Sequence, residues 1–437
     1  MTGSDDLRSL DARHVWHPFT QARTAPPPIP IRQGRGSRLI AEDGREFVDL
    51  VSSWWVTLHG HAEPAIAQAI ASQAARLEQV MFAGFTHEPA VRLAARLTAL
   101  LPAPLTRVFY SDDGSTSVEV ALKLALQYWR NLGQPRHRML AFEGGYHGDT
   151  FGAMAVGRSS GFYTPFQDKL FAVDFIPFPA TWIDDPDVAA TEARSLAALD
   201  RWLADHGSEA AAFIAEPLVQ GAAGMRMCRP AFLQEAAKRA RAAGLLVIFD
   251  EVMTGFGRTG TNFACDAAGI APDLICLSKG LTGGFLPLAA TVCTDQIHDA
   301  FLDAGFEKAF AHGHSYTANP LGCAAALASL DLLEAPETAT RIRRIGAAHA
   351  AGLSQLSNCA ALTRRRQTGT IAAVTLPATD AGYSAAIGPR AAGYFLERGL
   401  LVRPIGNELY FLPPYCVTDE EIAAAYRTAA DFARTLR

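Results

Sequence analysis

The amino-acid sequence predicts an α/β protein: a large unit built on a parallel sheet covered by helices, joined to a smaller α+β unit. Between about residues 62 and 320, helical patterns alternate with short apolar runs, the order expected when strands return through helices to a parallel sheet. The runs are apolar at consecutive positions, as in Leu245-Leu246-Val247-Ile248-Phe249 and Leu274-Ile275-Cys276-Leu277, which suits strands buried on both faces. After about residue 340 the pattern changes to a mixture of helices and strands.

The elements follow in chain order. The first sixty residues begin with an arm whose Pro26-Pro27-Pro28-Ile29-Pro30 cannot be helical, because proline lacks the amide donor, so the arm runs extended over other structure. Arg45 to Leu50 reads as a strand after a turn at Asp43-Gly44. Further strands are placed at Arg107 to Tyr110, Met139 to Phe142, Ala211 to Ala215, Leu245 to Phe249 and Leu274 to Leu277. An alanine-rich helix after Pro320 covers Cys323 to Leu333. The division is an N-terminal arm with part of the smaller unit at 1–61, a large unit at 62–325 and a C-terminal small unit at 326–437.

Composition narrows the function classes. A chain of 437 residues, 49% apolar and with a formal net charge of −5, is long enough for two domains around a large core. No basic stripe points to nucleic acid. No run approaches the ~20 apolar residues of a membrane span, and Met1 to Leu10 has no signal-peptide core. Seven scattered cysteines without a CxxC pair favour free thiols in a reducing cytoplasm.

The chemistry gathers at strand ends. One apolar run stops at Asp250-Glu251 and another at Ser278-Lys279-Gly280, about one strand-helix-strand unit (~30 residues) apart. Charges placed there lie at the carboxyl edge of the sheet, where ligands of open α/β sheets bind. A carboxylate beside a lysine matches what pyridoxal 5'-phosphate requires: the acid keeps the pyridine nitrogen protonated, and the amine holds the aldehyde and later moves a proton. The plainer alternative is a solvated lysine and a helix-capping aspartate.

Other segments aim at the same edge. Gly114 and Ser115 stand at a strand-to-helix junction, where backbone amides and the helix dipole attract phosphate; helix capping is the competing explanation. Tyr146, in Glu143-Gly144-Gly145-Tyr146-His147-Gly148-Asp149, is an aromatic ring on a glycine-rich loop, suited to stacking on a flat cofactor or to filling a core. His312-Gly313-His314-Ser315 and His59-Gly60-His61 lack the spacing and the acidic or thiol partners of common zinc sites, so no metal is expected and the imidazoles are assigned to hydrogen bonding. Trp54 and Trp55 either fill a core or, as neighbours on a strand facing opposite ways, turn one ring into a cleft. Arg403, in an apolar stretch, needs an anion, from protein or from substrate.

Taken together, Asp250 to Gly260, Ser278-Lys279-Gly280 and Gly114-Ser115 resemble the class III aminotransferases of fold type I, over nearly the whole chain. The resemblance implies a large domain with a mainly parallel seven-stranded sheet, pyridoxal phosphate as cofactor, and a homodimer with shared active sites. It also implies Lys279 as the covalent anchor, Asp250 on the ring nitrogen and Tyr146 over the ring. Gly114, Ser115, His314 and Ser315 would hold the phosphate, the last two from a neighbouring subunit. His14 to Thr20, Ser52 to Trp55, Gly145 to Ala153 and Arg403-Pro404 are similar to the branch that converts 8-amino-7-oxononanoate to 7,8-diaminononanoate in biotin biosynthesis. That similarity makes Phe19, Trp54, Trp55, Tyr146, Lys279 and Gly313 substrate-binding residues, with Arg403 on the substrate carboxylate. Phe19 and His314 depart from the commonest pattern towards members that use lysine as amino donor. The paired tryptophans favour S-adenosylmethionine, whose sulfonium suits an aromatic wall. The competing readings are another class III enzyme acting on an ω-amino acid or diamine, and a cofactor-binding regulatory domain.

Overall fold

The structure, a computed structural model, describes residues 6–157, 161–378 and 385–436, so the first five residues of the N-terminal arm lie outside it. Seven strands form the central sheet in the order Leu105–Ser111, Ala289–Thr294, Leu274–Leu277, Leu246–Asp250, Ala210–Ala215, Arg138–Phe142, Asp174–Ile176. Ala289–Thr294 runs antiparallel to both neighbours, and the other pairs are parallel. All five strands expected here are present. The two that were missed have physical reasons: Asp174–Ile176 is three residues long, and Ala289-Ala290-Thr291 offers little of the bulk that marks a buried strand.

Consecutive apolar residues are explained by burial on both faces. Val247 and Phe249 pack into one core with Phe142, Phe213 and Phe232. Their neighbours Leu246 and Ile248 point the other way, into a second core with Val118, Ala121 and Leu122 of the helix Gly114–Asn131. Each such side chain, fully buried, contributes roughly 1.5–3 kcal/mol of transfer free energy. The sheet is therefore rigid where its carboxyl edge must hold a site.

The smaller unit has an antiparallel sheet of Thr363–Thr368, Ile371–Thr375 and Glu408–Phe411, with helices Pro336–Gln355 and Asp419–Arg434 against it. The N-terminal strands Ile31–Arg35, Arg38–Ala41 and Glu46–Asp49 form a further sheet that Leu400–Leu401 completes, parallel to Glu46–Asp49. Thus the start of the chain folds beside its end. The alanine-rich helix spans Pro320–Glu334; Asn319 caps it by accepting from the Gly322 amide, and proline sits in its first turn.

One local expectation is corrected. Trp54 and Trp55 lie on no strand but in a tight turn, Ser52–Trp55, with Ser52, Ser53 and Trp55 at φ of 50°, 59° and 69°. Asp49 winds this turn: its buried carboxylate accepts from the amides of Val51 and Ser53 and from the Ser53 hydroxyl. Three bonds to one charged acceptor offset the strain of left-handed backbone.

Candidate active site

Asp250 is the last residue of its strand and pairs in register with Cys276 on the next. Lys279 follows that second strand after one residue, so parallel pairing places the carboxylate and the amine side by side at the carboxyl edge. They open onto a cavity of about 660 Å³, whose wall also includes Tyr146, Gly114, Ser115 and Trp55. Half of the twelve residues singled out in the sequence are therefore gathered here. Phe19, Trp54, Gly313, His314, Ser315 and Arg403 are not in this wall.

The floor of the cavity is a buried charge network. Asp250 Oδ2 lies 2.7 Å from His147 Nδ1, and Oδ1 accepts from the Val252 amide at 3.1 Å. Burial opposes charge on His147, but the bond to Asp250 and the charges of Asp250 and Glu216 outweigh it, so its pKa is raised. Glu216, buried and accepting from the amides of Tyr146 and Gly221, is pushed up to about 7 by burial. Lys279 is displaced the opposite way: burial lowers its pKa, against the pull of Asp250 and Glu216, and its Nζ sits 5.0 Å from the centre of the Trp55 ring. A lysine depressed this way has a larger neutral, nucleophilic fraction. The Tyr146 hydroxyl is hydrogen-bonded to Asp149; burial raises both groups, so both resist losing a proton.

The other end of the cavity is a helix start. Gly114 and Ser115 open the helix Gly114–Asn131, and Asp113 caps it through the Thr116 amide at 2.9 Å. A Cβ at Gly114 would meet Val252 at 2.6 Å, and one at Gly148, whose φ is +126°, would overlap Ser115. Only glycine permits these approaches. An acid for a ring nitrogen, a depressed lysine for an aldehyde and helix amides for a phosphate together fit pyridoxal phosphate.

The remaining sequence-predicted residues form two groups. The Trp54 ring takes Phe19 edge-on at 5.6 Å and carries the Arg403 guanidinium over its face at 3.9 Å. Trp55 instead is buried, donating from Nε1 to the Tyr410 hydroxyl at 2.9 Å. The segment with Gly313, His314 and Ser315 is held by Gln79, which donates to the Ser315 carbonyl, and by Thr317, which accepts from the His314 amide. His314 Nε2 stands 3.9 Å from the Asp112 carboxylate, a cavity-wall residue. His59 pairs with Ser329 and His61 with Asp49. Among the described residues no group of three or more His, Cys, Asp or Glu side chains could hold a metal.

A family model described as aminotransferase class-III matches residues 19–431. The chain belongs to the class-III aminotransferases. An adenosylmethionine-8-amino-7-oxononanoate aminotransferase of Synechococcus elongatus is 58% identical, the match covering 96% of this chain and 98% of that one. One from Helicobacter pylori is 35% identical over the full length of both. Among solved structures, the protein of that name from Methanocaldococcus jannaschii superposes with a TM-score of 0.91 at 34% identity, covering 98% of each chain. An amine transaminase from an uncultivated Pseudomonas species, in its pyridoxal-phosphate-bound form, superposes at 0.89 and 34% identity, covering 96% and 98%. The aminotransferase described here is accordingly a pyridoxal-phosphate enzyme with the fold expected of its class. Among its described residues no helix is long and apolar enough to cross a membrane.

Sequence reasoning missed two members of the floor. Glu216 directly follows the strand Ala210–Ala215, so the rule that found Asp250 and Lys279 applied to it equally. His147 stood in the same glycine-rich loop as Tyr146, but nothing in the sequence pairs it with Asp250.

Proposed function

We propose that this aminotransferase forms 7,8-diaminononanoate from 8-amino-7-oxononanoate, with S-adenosylmethionine as amino donor, as a cytoplasmic homodimer. The observation that carries the reading is the 58% identity, across almost the whole chain, to a relative bearing the name of that reaction. The geometry supports it with two separate groups: a reactive floor at Lys279, and an Arg403-Trp54-Phe19 cluster outside the cavity wall.

Bound pyridoxal phosphate supplies an aldehyde that carries the amino group and a ring that accepts electrons. Asp250, tied to His147 and the Val252 amide, holds a proton at the ring nitrogen. Lys279, with its depressed pKa, would hold the aldehyde and would supply the base that moves a proton at the substrate carbon. Tyr146, in the cavity wall, would cover the ring, and Trp55, whose ring lies against Lys279, walls the lysine from water. Gly114 and Ser115 offer the helix's positive end to the phosphate, aided by His314 and Ser315 of a second copy. Gly313 borders the substrate. Arg403 pairs with the acceptor's carboxylate, and the Trp54 ring offers an aromatic face to the sulfonium donor. Domain limits near residues 61 and 325 accompany this assignment.

The test is product formation. Purified enzyme loaded with cofactor and given 8-amino-7-oxononanoate should yield 7,8-diaminononanoate with S-adenosylmethionine. Product with lysine alone would move the donor assignment to lysine. No product with either donor, together with turnover of ω-amino acids or diamines, would replace the acceptor assignment.

A further inference from the structure

Glu119 lies on the helix that Gly114 and Ser115 open, one turn behind the cavity. Its Oε1 accepts from the Thr150 hydroxyl at 2.5 Å and from the amides of Gly152 and Ala153 at 2.7 and 3.1 Å. Thr150 in turn meets Ser115 twice: its amide donates to Ser115 Oγ at 3.0 Å, and the two hydroxyl oxygens are 2.7 Å apart. A carboxylate receiving two amides acts as an acceptor, which fixes the proton order. Thr150 spends its hydroxyl proton on Glu119, so Ser115 must donate to Thr150. Ser115 then has no hydroxyl proton left for an anion, and its backbone amide is the donor it presents.

Packing enforces the same arrangement. A Cβ at Gly152 would overlap the Glu119 carboxylate, and one at Gly148 would overlap Ser115. The loop that carries Tyr146 and His147 is thereby clamped against the helix start from both sides of Thr150.

We propose that Glu119, acting through Thr150, is a positioning residue for the cofactor phosphate. Its acceptor oxygen locks the loop 148–153 onto the first turn of the helix and fixes Ser115 so that the helix amides face the phosphate. This rests on the assignment of the cavity to pyridoxal phosphate.

The test is titration of apo-enzyme with pyridoxal phosphate and with pyridoxal, followed by absorbance. Glu119→Ala should weaken pyridoxal phosphate binding at least tenfold while changing pyridoxal binding less than threefold. Glu119→Gln, which keeps an acceptor oxygen, should restore phosphate-form binding to within threefold of wild type. Thr150→Val should repeat the loss and Thr150→Ser should not, which keeps the proposal testable if Glu119→Ala does not fold. Unchanged phosphate-form binding in Glu119→Ala or Thr150→Val, or equal loss of both ligands, would overturn it. Failure of the wild-type enzyme to bind pyridoxal phosphate would instead overturn the assignment of the cavity.

Discussion

His147 Nδ1 and Asp250 Oδ2 meet at 2.7 Å beneath the cavity, with both residues buried. A raised imidazole against a carboxylate is a charge pair out of water, where removing one partner costs more than the pair itself contributes. With the Val252 amide on Oδ1, it fixes the rotamer of Asp250 in the cavity wall.

Substitution should expose this hierarchy. Asp250→Asn should reduce turnover by more than tenfold, a barrier increase above ~1.4 kcal/mol, because an amide cannot hold the ring proton. His147→Asn should give a smaller loss, in kcat rather than in KM, since it disturbs the orientation of Asp250 and not substrate contacts. Steady-state kinetics checks both; an Asp250→Asn enzyme above a tenth of wild-type turnover contradicts the role.

Arg403, stacked on Trp54 at 3.9 Å, should serve the acceptor carboxylate. Arg403→Ala should weaken 8-amino-7-oxononanoate binding by roughly 2–3 kcal/mol and leave the cofactor absorbance unchanged. The same loss with an analogue lacking the carboxylate would make the arginine structural.

His349, remote from the cavity, offers a linkage test. Burial lowers its pKa to about 4, and it contacts the Tyr426 hydroxyl at 2.9 Å and stacks with Phe411. A depressed histidine contributes stability that is present above the unfolded value near 6.5 and lost as pH falls through the folded value. The destabilisation caused by His349→Phe, measured by urea unfolding of apo-protein, should therefore be largest above pH 6.5. It should shrink by as much as ~3 kcal/mol towards pH 4. A difference independent of pH would show that His349 is not held neutral.

Strands whose side chains are large and apolar on both faces, such as Leu246–Asp250 and Leu274–Leu277, were legible in the sequence because burial on two sides leaves no room for polar alternation. Asp250 and Lys279 were legible for the same reason: a charge that ends such a run must lie at the sheet edge. The turn at Trp54-Trp55 was not, because its left-handed backbone depends on Asp49, whose hydrogen bonds could not be read from residue type. Nor was the His147 bond to Asp250, which joins a loop residue to a strand end 103 positions away. What local pattern conveys is burial and edge; which polar groups then face one another is set by tertiary packing.

Lys279 should carry the cofactor at the edge it shares with Asp250. Borohydride reduction of the loaded enzyme, followed by peptide mass mapping, tests it most directly. The predicted result is a pyridoxyl label on Lys279 alone, and none on Lys279→Ala protein that still binds cofactor non-covalently. A label on any other lysine, or none on wild-type enzyme saturated with pyridoxal phosphate, would contradict it.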